Sequence, residues 1–106
     1  MGSNTPEEIE SGVKELLPAI LQANGLNTDE VISVLLTCTK DLNAAFPAAF
    51  AREIGFGAVP LLCAVEMDVP GAMPLVIRVM LHAELPEVAN HVYLRGAAAL
   101  RKDLAQ

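Results

Sequence analysis

Three apolar runs, the first of them rich in β-branched residues, constrain this chain more than any other feature. They span residues 31–39, 59–67 and 76–84. Runs of this length, bounded by turn-forming residues, read as buried strands rather than helices. Asp41-Leu42-Asn43 follows the first, Val69-Pro70-Gly71-Ala72 breaks the second, and Leu85-Pro86-Glu87 closes the third. Residues 91–94 read as a short fourth strand.

Two helical patterns are interleaved with these runs. Thr5-Pro6-Glu7-Glu8 is a helix start, in which Thr5 caps, Pro6 takes the first helical position and Glu8 completes a capping box. Ile9, Val13, Leu16, Leu17, Ile20 and Leu21 then recur at helical spacing, and Gly25 ends the helix. Pro18 falls inside it and predicts a kink. Residues 44–54 are alanine-rich and predict a second helix, ended by Gly55. Residues 96–106 fit a helix or an extended chain equally. Helices mixed with strands give an α/β or α+β class, and 106 residues without repeat or linker suggest one domain over 1–106.

Composition adds a constraint on assembly. Apolar residues make up 53% of the chain and charged ones 19%. A domain of this size buries only about two thirds of its unfolded surface, so the excess points to an oligomer that hides part of it. The net charge of −6, with scattered basic residues, gives no stripe for nucleic acid. A local arginine cluster can still hold an anion.

Cys38 and Cys63 lie in apolar runs and match no metal or CxxC spacing, so free thiols in a reducing cytoplasm are expected. The N-terminus has no signal-peptide pattern, and no apolar run approaches the ~18 residues that cross a membrane. His82 and His91 lack metal-site spacing. No cofactor is expected.

Several stretches, in order, carry a resemblance. They are Thr5-Pro6-Glu7-Glu8, Asp41 through Ala48, Val59 through Val69, Ile77-Arg78-Val79, His91-Val92-Tyr93-Leu94 and Leu100-Arg101-Lys102-Asp103-Leu104. Together they resemble the monofunctional bacterial chorismate mutases of the AroH class. The resemblance implies a mixed sheet with helices on one face and a pseudo-barrel homotrimer with active sites in clefts between subunits. It also implies the Claisen rearrangement of chorismate to prephenate, a step of aromatic amino acid biosynthesis in the shikimate pathway. Such a reaction needs no proton transfer or covalent intermediate. It needs a compact substrate conformer and a cation at the breaking ether bond.

Carried over by position, the resemblance makes Arg78 the cation at the ether oxygen and Glu66 the acceptor for the ring hydroxyl. Cys63 is their neighbour, Tyr93 binds a carboxylate, and Phe46 forms an apolar wall. Arg52, Leu100 and Arg101 join the substrate site near its mouth. Members of the family begin with a strand of the type Arg-Gly-Ile-Arg-Gly-Ala, whose second arginine grips a carboxylate. Here Met1-Gly2-Ser3-Asn4 precede the helix, so that cation has no counterpart and weakened activity is expected. Ala49 and Leu62 stand where relatives can carry Lys and Thr. These departures leave two other readings: a same-fold isomerase or pericyclase of secondary metabolism acting on a different small molecule, or a non-catalytic fold relative.

The residues alone also allow plainer roles. Strand alternation sets Arg78, Met80, His82 and Glu84 on one face, where an arginine is commonly just solvated. Glu66 suits a salt bridge, with Arg78 as a partner. Cys63 suits a small core residue, Tyr93 a half-buried aromatic, and Phe46-Pro47 a helix entry. Arg52 suits a solvated helix face.

Overall fold

The computed structural model describes residues 1–99. Helix α1 spans Pro6–Asn24. Its start follows the sequence: Glu8 N–H donates to Thr5 Oγ1 at 3.1 Å. The capping box is only half formed, because the Glu8 carboxylate accepts from Gly2 N–H at 3.1 Å instead of turning back to Thr5. Gly25 ends α1 at φ 63°, a left-handed conformation that glycine adopts without strain. Leu26 N–H then closes onto the Leu21 carbonyl at 2.9 Å. The helix continues through Pro18, which sits on its exposed side.

Strand β1 (Val31–Cys38) is central in a three-stranded sheet of order β2-β1-β3, with β2 at Leu61–Val65 and β3 at Ile77–Ala83. β1 runs parallel to β2 and antiparallel to β3. A parallel neighbour requires a crossover, and helix α2 (Pro47–Ala51) with the wider turn Arg52–Phe56 provides it. Residues 44–54 were expected to be helical throughout, but α2 begins only at Pro47. Proline pushes the residue before it out of the helical region, and Phe46 is extended at φ −82°, ψ 119°. Gly55, at φ 104°, breaks the helix where expected and turns Phe56 into the core.

One face of the sheet is covered. Val34, Leu36, Cys38 and Ile77 pack there with Ile9, Val13 and Leu17 of α1, Ala48 and Ala51 of α2, and Phe56. The opposite face carries Leu35, Thr37, Leu62, Arg78, Met80 and His82, which alternate with the buried set. Each strand is shorter than its apolar run. β2, for example, starts after Pro60, which has no N–H to give the ladder.

The fourth strand expected at residues 91–94 does not form. After β3 the chain leaves the sheet and crosses to the C-terminal end of α1. There Asn90 N–H donates to Asn24 Oδ1 at 2.7 Å, and Asn24 Nδ2 donates to the Asn90 carbonyl at 3.0 Å. Anchored to a helix end, residues 91–94 do not join the ladder. A single 3-10 turn, Arg95–Ala99, follows.

Candidate active site

Glu66 directly follows β2, and its N–H still bonds the Cys38 carbonyl at 2.8 Å. The pairing with β1 therefore continues one residue past Val65, and alternation turns Glu66 to the open face. Arg78 reaches the same face as the second residue of β3. The strand carrying Glu66 and the strand carrying Arg78 flank β1, so the two side chains meet across it above Thr37, which is paired in register with Arg78.

The contact is a fork. Arg78 Nε donates to Glu66 Oε2 at 2.7 Å and Arg78 Nη2 donates to Oε1 at 2.9 Å. Two parallel bonds of this kind fix direction as well as distance. Thr37 Oγ1 donates to Glu66 Oε2 from below. The carboxylate is well enclosed, with 16% of its side chain exposed, while the guanidinium is 68% exposed. Arg78 Nη1 has no hydrogen-bond partner among the described residues. The arginine, then the Thr37 hydroxyl, hold the Glu66 carboxyl below its ordinary value of 4.5 against the opposing effect of burial. Glu66 in turn raises the proton affinity of Arg78, to which Tyr93 adds.

The pair lines an open groove of about 1070 Å³ formed with α1, β3 and the returning segment 85–97. Tyr93, half-buried, lines the groove, as do Leu16 and Ile20 from α1. Arg95 secures the far end of that segment by bonding Ser11 Oγ at 3.1 Å and Glu15 at 3.0 Å. A cation held by an enclosed acceptor, in a groove whose lining mixes apolar side chains with polar ones such as Asn24, Asn90 and Arg95, suits a small anionic ligand with few acid–base demands.

Of the residues singled out from sequence, the structure gathers Arg78, Glu66 and Tyr93 at this groove. Cys63 lies on the covered face, packed against the core and turned away from Arg78. Phe46 is 76% exposed at the entry to α2 and does not line the groove, nor does the exposed Arg52. Leu100 and Arg101 lie outside the described residues. Thr37 was missed. It is one of two threonines in the second half of its run, with Thr39, and its role depends on which strands flank it. His82 bonds Ser33, with Oγ and Nδ1 3.1 Å apart. Among the described residues, no group of three His, Cys, Asp or Glu side chains converges on a point that could hold a metal, and no helix is long and apolar enough to cross a membrane.

Comparisons with known proteins identify the family of the chain as a whole. The family model described as chorismate mutase type I matches residues 1–104. The chain is 48% identical over 105 residues to chorismate mutase AroH of Thermus thermophilus, covering 95% of this chain and 86% of that protein. It is 41% identical over 106 residues to chorismate mutase AroH of Bacillus subtilis strain 168, covering 96% and 84%. Among solved structures, the chorismate mutase from Clostridium thermocellum superposes with a TM-score of 0.89 at 42% identity, over 92% of this chain and 90% of that one. With its fold and nearly its whole length matched, the chain belongs to the type I chorismate mutases.

Proposed function

We propose that the chain converts chorismate to prephenate at the Arg78–Glu66 pair, in a cleft that a neighbouring subunit of a homotrimer completes. The chorismate mutase activity itself follows from the family and from relatives this similar, which do not favour a same-fold isomerase of another substrate or a non-catalytic relative. It is an isomerase reaction of aromatic amino acid biosynthesis. The observation that carries the choice of site is the forked Arg78–Glu66 contact lining the groove.

The chemistry is unimolecular. One ether C–O bond breaks while one C–C bond forms, and no proton or electron leaves the molecule. Negative charge builds on the ether oxygen in the transition state. A guanidinium already held in place meets that charge without reorganising, which is where such a cation has most effect. Glu66 holds Arg78 by Nε and Nη2, leaves Nη1 for the ether oxygen, and offers its carboxylate to the substrate's ring hydroxyl. Tyr93 takes a carboxylate of the substrate, and the groove walls select the compact conformer.

Support for the trimer comes from what one chain leaves uncovered. Leu62 and Met80 are exposed on the open sheet face, Ile32 and Val65 are exposed on β1 and β2, and Met67 is exposed just after β2. A solvated arrangement of that many large apolar side chains is uncommon in a monomer. Phe46 and Arg52, which stand away from Arg78 in their own chain, join a substrate site only if it lies between subunits. Leu100 and Arg101 belong to the same reading. The protein works in the cytoplasm, in keeping with Cys38 and Cys63 as free thiols.

The pH dependence follows from the pair. Glu66 has a depressed value when folded, so the ion pair is complete above the ordinary 4.5 and is lost only as pH falls through the lower folded value. Arg78 stays charged throughout. The contribution of this pair to kcat/KM is therefore expected to be constant from about pH 5 to 9 and to fall in more acidic solution. A pH series on folded protein checks it, and a Glu66-dependent transition near neutrality would contradict it.

The site is tested with a stable bicyclic ether dicarboxylate that mimics the transition state. Calorimetric titration is expected to show binding at least about 10²-fold tighter than for prephenate, and Glu66→Gln is expected to abolish that preference. Equal affinity for mimic and product would remove the reading.

A further inference from the structure

We infer that Asp41 is a positioning residue for Arg78, acting through Leu75 and the first residues of β3. The inference rests on the reading of Arg78 given above. Arg78 lies two residues beyond Val76 and three beyond Leu75, so whatever fixes those two backbones fixes where the guanidinium stands. Leu75 has φ 55°, a left-handed conformation that side chains with a Cβ rarely adopt. Its N–H points into the Asp41 carboxylate and donates to both oxygens at 3.1 Å. The Thr39 hydroxyl, bonded to the same carboxylate, accepts Val76 N–H at 3.0 Å. Thr39 N–H closes the set by donating to the Val76 carbonyl at 3.0 Å.

This clamp sits where register is decided. β3 has one strand neighbour among the described residues, and its pairing with β1 already shifts at the far end, between Val31 and Ser33. A strand that slips by one residue exchanges its two faces. Such a slip would turn Arg78 toward the helices and Ile77 to the open face of the sheet. Asp41 stops the near end by holding an unfavourable turn that leucine alone would not keep. It touches neither Arg78 nor the groove, and so acts by placement only.

The test is a rescue. Asp41→Ala, shown folded by circular dichroism, is expected to lower kcat about 10- to 100-fold with KM within about 3-fold, since a cation misplaced by about 1 Å costs transition-state contact more than ground-state binding. Adding Leu75→Gly removes the conformational penalty at φ 55°. The double variant is expected to recover kcat to within about 3-fold of Leu75→Gly alone. If Asp41→Ala does not fold, Asp41→Asn, which keeps one acceptor oxygen, takes its place with a smaller loss in the same direction. Unchanged kcat in a folded Asp41 variant, or a loss that Leu75→Gly does not relieve, overturns the inference. Arg78→Ala run alongside separates the two levels: if it keeps full rate, the reading of Arg78 fails first.

Discussion

Arg78→Ala lowers kcat/KM for chorismate by at least about 10²- to 10³-fold while the protein stays folded. Removing one preorganised donor from a developing oxyanion typically has an effect of that size. Here the loss goes further, because truncation also strips Glu66 of its counter-ion. An unpaired carboxylate lining the groove then repels a dianionic substrate. Folding is spared because the Arg78 side chain is 68% exposed on the open face and takes no part in the core. Thermal melting checks that half of the prediction. Arg78→Lys restores the charge but not the fork to Glu66, so only partial recovery is expected. Full rate in Arg78→Ala would sink the site.

The second large effect is on stability. Phe56→Ala is expected to destabilise the fold by about 3–5 kcal/mol, the cost of truncating a fully buried aromatic and leaving a cavity. Phe56 has no exposed surface and is among the largest fully buried side chains. Gly55 turns it into the core between the sheet and the helices. Total stability in domains of this kind is about 5–15 kcal/mol, so the change takes a large share. Urea unfolding at fixed protein concentration reads it as a lower midpoint with little change in slope. Phe46→Ala is the control. Its ring is exposed in the single chain, and a change within about 0.5 kcal/mol is expected for the isolated fold. A shift as large as that of Phe56→Ala would mean that Phe46 is buried by a neighbouring subunit.

Local signals were legible where the cause is local. The Thr5 cap, the Gly25 stop and the three apolar strand cores depend on a few adjacent residues, and each appears where the sequence placed it. Alternation also set Arg78, Met80 and His82 on one face. The failures share a different cause. Glu8 had two N–H groups to choose from, and chose Gly2. The alanines before Pro47 favour a helix on propensity, but proline forces Phe46 to be extended. Residues 91–94 look like a strand by composition, yet Asn90 is committed to the end of α1.

The site shows the same division. Arg78 and Glu66 were identified from the resemblance, and a salt bridge between them was one plain reading of the residues. That they meet over Thr37 follows from the strand order β2-β1-β3, which no local pattern contains. Cys63 faces the core because it is three residues from Glu66, an odd step that alternation sends to the other side. Phe46 and Arg52 are exposed and stand outside the groove of the single chain, so their place in a site rests on the resemblance alone.

The most direct measurement is to incubate the purified protein with chorismate and follow prephenate by NMR against the spontaneous background. Turnover well above background in the wild type, lost in Arg78→Ala, is the expected result. A folded, wild-type chain that leaves the background rate unchanged would contradict catalysis at the Arg78–Glu66 pair.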